Sequence, residues 1–134
     1  MNKSGEDYLE AVLNIENEKG VVRTTDIAAK LNVSKPSVNR AMKVLSSEGY
    51  INHETYGKIS LTEKGKVYAS MVYKRHTTLV RFLREILNVS EETSNVDACL
   101  IEHDVSSETM EKIASYLEGH LGPIEADKKA FDKN

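Results

Sequence analysis

Residues 26–49, DIAAKLNVSKPSVNRAMKVLSSEG, decide the fold of this chain. DIAAKL predicts a short helix, capped by Thr24 or Thr25, and the turn NVS follows it. Ser34 can cap a second helix that carries Pro36 in its first turn, where a missing N–H costs nothing. Two helices joined by a short turn, the second rich in polar and basic residues, are typical of a helix-turn-helix.

The flanking segments extend this motif to a winged helix over residues 1–63. Downstream, YINHE and ISLT enclose the glycine-containing turn TYGK, which predicts two short strands in a hairpin. Upstream, Ser4 precedes a run of apolar side chains at helical spacing that Gly20 closes, which predicts a first helix capped by Ser4. A helix, a helix-turn-helix and a hairpin in this order make a winged helix.

The second half of the chain predicts helices only. A proline-free run from Thr62 to about Leu87 would be roughly 38 Å long as a helix. Ser90 can cap a helix to about residue 104, and Ser106 or Ser107 can cap the last one. The apolar stripes of these two helices are Val96, Leu100 and Ile101, then Met110, Ile113, Ala114 and Leu117. We therefore expect a mainly α protein, with an all-helical domain over residues 64–120 and a charged tail over residues 121–134.

Composition narrows the class of protein. Residues 1–84 carry 14 Lys and Arg against 9 Asp and Glu, whereas residues 85–134 carry 4 against 12. A basic half can face phosphates and an acidic half can gather cations, although solvated helix faces would have the same composition. A single cysteine excludes an internal disulfide. No signal peptide and no apolar run near about 18 residues is evident, so we expect a cytoplasmic protein without a membrane partner.

The second helix of the motif offers candidate DNA contacts, because recognition helices read base edges near their N-terminus. The candidates for base edges are Ser34, Pro36, Ser37 and Arg40. The neighbours suited to phosphates are Lys35, Asn39, Lys43 and, in the wing turn, Lys58. His53 in the wing is expected to be a polar surface residue. A winged helix can also bind protein, and DNA is the favoured of the two partners.

The segment DACLIEH offers a candidate metal site. Cys99, Glu102 and His103 occupy positions i, i+3 and i+4, which share one face of a helix. A thiolate, a carboxylate and an imidazole on one face suit a transition metal, although a packed cysteine beside a surface Glu-His pair would have the same pattern. Two other helices offer ligand types: Asp7 and Glu10 at i, i+3 on the first, and His76 on the long one.

The order and spacing of DYLE, VSKPSVNRAMKVL, YGKISLTEKGK, YKRH and ACLIEH resemble the diphtheria-toxin-repressor and manganese-transport-regulator family. The resemblance covers about residues 4–120 and implies a metal-dependent transcriptional repressor that controls metal homeostasis and is not an enzyme. It implies metal ligands at the matching positions Asp7, Glu10, His76, Cys99, Glu102 and His103. One ion would lie among Asp7, Cys99, Glu102 and His103. A second would use Glu10 and His76, with Glu102 as a bridge.

The chain departs from both branches of that family. Asp7 and Glu10 resemble the manganese-sensing branch, whereas Cys99 resembles the iron-sensing branch. Val80 stands where the iron branch offers an acidic ligand to an ancillary site, which puts that site in doubt. Because a thiolate is a soft ligand, the set favours Fe²⁺ slightly over Mn²⁺.

The resemblance also implies a homodimer on a palindromic double-stranded operator, with its recognition helices about 34 Å apart. We expect the dimer to form through the helices between about Thr62 and Glu118. One alternative is a winged-helix repressor that senses a small organic ligand, or oxidation through Cys99. A hydrolytic metalloenzyme is disfavoured, because the chain has no nucleophile motif and no pattern of an α/β pocket.

Overall fold

The computed structural model describes residues 1–54 and 57–121; the predicted tail after Leu121 lies outside them. The described elements are α1 (Lys3–Lys19), α2 (Thr24–Leu31), α3 (Lys35–Ser47), β1 (Ile51–His53), β2 (Ile59–Leu61), α4 (Glu63–Arg81), a π-helical turn (Phe82–Ile86), α5 (Glu91–Ile101) and α6 (Ser107–Leu121). A mainly α chain with an N-terminal winged helix is confirmed. The described residues divide into two compact units within α4, one through Met71 and one from Val72.

Two of the predicted helix caps in the first unit are wrong. The cap of α1 is Asn2 and not Ser4, because the Asn2 Oδ1 accepts a hydrogen bond of 2.8 Å from the Gly5 N–H. Neither threonine caps α2, because Asp26 satisfies that terminus. Its carboxylate accepts from the Arg23 N–H at 3.0 Å and from the Lys19 Nζ at 2.8 Å. The hydrogen bond from Lys19 lowers the pKa of the Asp26 carboxyl.

The recognition helix α3 forms as predicted. Ser34 is its N-cap, and its Oγ accepts from the Ser37 N–H at 3.2 Å, while Pro36 lies in the first turn. The apolar face of α3 is completely buried through Val38, Met42 and Leu45. The opposite, polar face of α3 is therefore the one available to a partner.

A small sheet forms the wing. β1 and β2 pair antiparallel in the register Ile51↔Leu61 and His53↔Ile59, and Val22 adds a single antiparallel bridge to Ile59. Alternate residues of β2 are buried, which gives the sheet one face on the core. The other main contributors to this core are Leu9, Val12, Ile27, Met42 and Leu45.

Gly65 permits the start of α4 to lie against the wing. A Cβ at this position would lie 1.9 Å from the Tyr50 carbonyl oxygen, so only glycine fits the backbone as it stands. The Thr62 hydroxyl reinforces the junction: it donates to the Gly49 carbonyl at 2.7 Å and accepts from the Gly65 N–H at 3.0 Å. The first turn of α4 is thus fixed to the end of the helix-turn-helix.

The second unit is built around a small apolar cluster of Leu79, Ala98 and Met110, with Val80, Leu83, Val105 and Ile113 packed against it. Ser90 caps α5 as predicted, and Ser106 is the residue that caps α6. Within the described ranges, no helix has both the length and the apolar character needed to span a membrane.

The apolar stripe of α5 does not face the core. Val96, Leu100 and Ile101 are 57%, 55% and 37% exposed, while the small side chains of Ser94 and Ala98 face the core. The apolar stripe of α6 is buried at Met110 and Leu117, whereas Ile113 and Ala114 are half-buried. The apolar face of α5 is therefore left uncovered by residues 1–54 and 57–121.

Candidate metal centre and nucleic-acid interface

Three predicted metal ligands meet in the second unit. One donor atom each from His76 on α4, Cys99 on α5 and Glu102 just after α5 lies within 4.8 Å of the other two. An imidazole nitrogen, a thiol sulfur and a carboxylate oxygen at such distances are a ligand set suited to a divalent transition metal.

The Glu102 carboxylate is the centre of this group. Its side chain is 0% exposed, and the His76 Nδ1 lies 3.0 Å from its Oε2. The Nε2 of His103, whose side chain is 1% exposed, lies 3.4 Å from the Oε1. Within residues 1–54 and 57–121, no donor makes a hydrogen bond to this Oε1. A buried carboxylate oxygen in this state is costly, and a bound cation would relieve the cost, so the donors fit a metal ion.

The local backbone explains how Glu102 reaches its neighbours. α5 ends at Ile101 and not near residue 104 as predicted, because a turn follows. The Glu102 N–H still donates to the Ala98 carbonyl at 2.9 Å, and its backbone angles stay helical. The helical spacing between Cys99 and Glu102 therefore holds, while His103 lies in the turn.

Cys99 is exposed, so it does not fill space in the apolar core. That observation argues against the interpretation of Cys99 as a cysteine packed in the core. Val80 packs against the apolar cluster of the second unit and offers no ligand atom, which agrees with the doubt about an ancillary site there.

Asp7 and Glu10 belong to the first unit. They lie half-buried on α1, at positions i and i+3. Their recruitment to the same metal centre as Glu102 stays a prediction.

The predicted DNA contacts lie on the polar side of α3 and in the wing. Seven are exposed: Ser34, Lys35, Pro36, Asn39, Arg40, Lys43 and Lys58. Ser37 is half-buried and accepts hydrogen bonds from the Arg40 Nη2 at 3.2 Å and from the Ser34 hydroxyl at 2.9 Å. The bond from Arg40 orients its guanidinium along the N-terminal half of α3.

An open pocket of about 430 Å³, lined by residues with polar side chains, lies beside the C-terminal half of α3. Its lining consists of Asn39, Lys43, Ser46, Ser47 and His53. No carboxylate belongs to this lining, so it suits an anion such as a phosphate. His53 therefore borders the candidate interface together with Lys43. The place of His53 in the wing strand β1 did not indicate this role.

A winged helix with an exposed basic recognition helix, joined to a unit that gathers an imidazole, a thiol and a buried carboxylate, is typical of a metal-dependent DNA-binding transcriptional regulator. Residues 1–59 match the family model described as the N-terminal DNA binding domain of the iron dependent repressor. Residues 62–120 match the family model described as the metal binding and dimerisation domain of the iron dependent repressor. The chain belongs to this family of iron-dependent repressors, which confirms the resemblance found in the sequence.

Individual relatives support the same family assignment. The chain is 38% identical over 119 residues to an uncharacterized HTH-type transcriptional regulator of Methanocaldococcus jannaschii, covering 88% of this chain and 95% of the relative. It is 35% identical over 115 residues to the transcriptional regulator MntR of Salmonella typhimurium, covering 86% and 73%. The solved structure of the manganese regulator SloR is 30% identical, with a TM-score of 0.76, and the match covers 91% of this chain and 54% of SloR. The chain thus spans about half the length of that solved relative.

Proposed function

We propose that Fe²⁺ or Mn²⁺ activates this regulator for operator binding, and that Glu102 is the central ligand. The observation that carries the proposal is the fully buried Glu102 carboxylate, with an imidazole beside each of its oxygens and the Cys99 thiol close by. A buried carboxylate of this kind is stabilised when a cation takes its charge.

The distribution of the imidazoles supports a site for two ions. His76 lies beside one oxygen of Glu102 and His103 lies beside the other. Each carboxylate oxygen therefore has a different imidazole as its neighbour. A carboxylate with a separate neighbour beside each oxygen could serve two ions, so Glu102 would be the residue shared by both sites. We infer that Asp7, Cys99 and His103 would complete one site with Glu102, and that Glu10 and His76 would complete the second. The donor atom of Cys99 also lies within 4.8 Å of one from His76, so this sulfur is near ligands of both sites.

Ligand softness supports Fe²⁺ over Mn²⁺. Carboxylates and imidazoles suit either ion, but a thiolate favours the softer one. The names of the relatives point both ways, since the family model is called an iron-dependent repressor and SloR a manganese regulator. Cys99 is therefore the residue that we expect to decide the preference.

Asp7 and Glu10 provide the means of control, because they lie in the DNA-binding unit. Ligands drawn from both units couple metal binding to the placement of the recognition helix. A metal shifts the equilibrium only by its differential affinity for the DNA-competent state, and operator must raise metal affinity by the same factor.

We further propose a homodimer that binds a palindromic operator, with a second copy covering the exposed face of α5. Val96, Leu100 and Ile101 make that face apolar, and the family model of this region is named for dimerisation. Leu100→Lys should yield monomers in sedimentation equilibrium at micromolar protein. Val44→Lys is the matched control, because Val44 is 56% exposed on α3. A Leu100→Lys protein that stays dimeric would exclude this face.

The decisive experiment measures operator affinity by fluorescence anisotropy under anaerobic conditions, using a library of palindromic promoter fragments. Each fragment is titrated without metal and with Fe²⁺, Mn²⁺ or Zn²⁺. Native protein should bind tightly only with metal and should prefer Fe²⁺, whereas Cys99→Glu should gain Mn²⁺ response relative to Fe²⁺. If Cys99→Ala keeps the native affinity and order of preference, the thiol is not a ligand.

The alternative of a thiol-based or organic-ligand sensor makes the opposite predictions. An exposed thiol such as that of Cys99 is accessible to oxidants. Under that alternative, chelators leave operator binding unchanged, and peroxide abolishes it in native protein but not in Cys99→Ala. The metal-activated repressor requires that chelators release the operator.

A further inference from the structure

A partly buried hydrogen bond ties α1, the helix of the candidate ligands Asp7 and Glu10, to α4 within the first unit. The Glu6 side chain belongs to a residue only 5% exposed, and its Oε2 accepts from the Tyr68 hydroxyl at 2.7 Å. Glu6 directly precedes the candidate ligand Asp7. A short hydrogen bond to a carboxylate is among the stronger side-chain interactions, so it fixes this turn of α1 against α4.

From Tyr68 the contacts continue to the recognition helix. The Tyr68 ring meets the Tyr50 ring edge-on, with centroids 5.5 Å apart and an interplanar angle of 71°. The Lys64 Nζ lies 4.3 Å from the centroid of the Tyr50 ring and donates to the Glu48 carbonyl at 2.8 Å. Glu48 is the C-cap of α3. An unbroken series of contacts therefore runs from the turn beside Asp7 to the end of the helix that faces DNA.

We propose that Tyr68 is a positioning residue, which couples the ligand turn of α1 to the recognition helix α3 through Tyr50 and Lys64. The inference rests on the proposed function, in which Asp7 is a metal ligand. A change in α1 when Asp7 acquires a metal can pass to α3 through elements that contact each other, and this series supplies such elements. The hydroxyl of Tyr68 is the polar link, and its ring is the apolar one.

The variant that isolates the hydroxyl is Tyr68→Phe, which keeps the ring contact with Tyr50. Tyr116→Phe is the matched control, because Tyr116 lies on α6 in the second unit, outside the series. Four quantities are measured for each protein: melting temperature without metal, metal affinity without DNA, and operator affinity without and with metal. The coupling factor is the ratio of the two operator affinities.

For Tyr68→Phe we expect about a tenfold weaker metal affinity and about a tenfold smaller coupling factor, with operator affinity in the absence of metal unchanged. Lys64→Met tests the other end of the series. It should keep the native metal affinity without DNA while lowering the coupling factor several-fold, because it acts on the link to α3 and not on α1.

Three results would overturn the inference. A native coupling factor in Tyr68→Phe would show that the hydroxyl carries no coupling. A loss of operator affinity that is equal with and without metal, with a lower melting temperature, would reduce Tyr68 to a structural role. If the operator affinity of native protein does not respond to metal, the proposed function itself is refuted. Only that result removes the basis of both the proposed function and the role of Tyr68.

Discussion

Gly65→Ala is the perturbation for which the structure gives the clearest expectation. Alanine is a better helix former than glycine by about 1 kcal/mol, so propensity alone predicts a more stable protein. The position is different because the new Cβ would lie 1.9 Å from the Tyr50 carbonyl oxygen and 3.3 Å from the Leu61 Cδ2. A backbone oxygen cannot rotate away as a flexible side chain can.

The magnitude follows from the distance that must open. Non-bonded heavy atoms approach to roughly 3.5 Å, so α4 and the wing must separate by roughly 1.5 Å at this point. Overpacking of this kind costs about 1–3 kcal/mol. The separation also stretches the hydrogen bond of 2.7 Å from Thr62 to the Gly49 carbonyl, and each such bond contributes about 1 kcal/mol. We therefore expect net destabilisation by about 1–3 kcal/mol.

Thermal and urea unfolding of metal-free protein, followed by circular dichroism, test this value. Each 1 kcal/mol corresponds to a melting temperature lower by roughly 4–8 °C for a unit of this size. Gly119→Ala is the control, since Gly119 lies in α6 and no atom of the described residues lies within 4 Å of its Cβ position. It should raise stability by up to about 1 kcal/mol. If Gly65→Ala is as stable as Gly119→Ala, the close approach of α4 to Tyr50 is wrong.

Three other outcomes are expected. Arg40→Ala should weaken operator binding by about 1–3 kcal/mol and relax sequence preference in competition assays, whereas an equal loss for all sequences would make Arg40 a phosphate contact. Ser34→Ala should lower stability in urea by about 1 kcal/mol through loss of the α3 cap, and no change would remove that cap as a stabilising feature. Because Lys19 lowers the pKa of Asp26, native protein should lose stability as pH falls below the ordinary carboxyl value of 3.8. Lys19→Met should reduce that loss, and identical acid unfolding of both proteins would contradict it.

Helix caps illustrate which parts of the fold could be predicted. Ser34 was predicted correctly, because a serine three residues before the Ser37 amide needs no partner from elsewhere in the chain. The terminus of α2 was predicted wrongly, because Asp26 serves it while bound to Lys19 at the end of the preceding helix. Residue spacing predicts hydrogen bonds between neighbours in the sequence. It does not indicate a competing partner, such as Lys19, that comes from another helix.

The exposure of the apolar stripe of α5 could not be predicted, for another reason. Periodicity indicates which face of a helix is apolar, but it does not indicate whether the same chain covers that face. Ser94 and Ala98 face the core because their small side chains permit close packing, while the larger Val96 and Leu100 stay exposed. The large apolar residues of α5 lie outside the core of the second unit. An exposed apolar face of this kind is typical of an interface between copies.

The sequence predicted which residue types belong to the candidate site. It did not predict the distances between them or their burial. Spacing brings Cys99 and Glu102 together, because both belong to one stretch of helical backbone. Neither spacing nor composition indicates that His76, from another helix, lies 3.0 Å from Glu102, or that this carboxylate is fully buried. The Glu6–Tyr68 bond joins residues 62 positions apart and left no signal in the sequence.

The burial of the ligands separates metal preference from stability. Glu102 is fully enclosed, so any replacement there disturbs two imidazoles and the surrounding packing. Cys99 is exposed, so a replacement changes the chemistry of the centre with little effect on the core. If Cys99 is the selecting ligand, as proposed, a substitution there changes the preference between iron and manganese while the fold and the Glu102 carboxylate stay as they are. The residue that we propose to select the ion is not one that holds the fold together, so a single substitution is expected to change the metal preference.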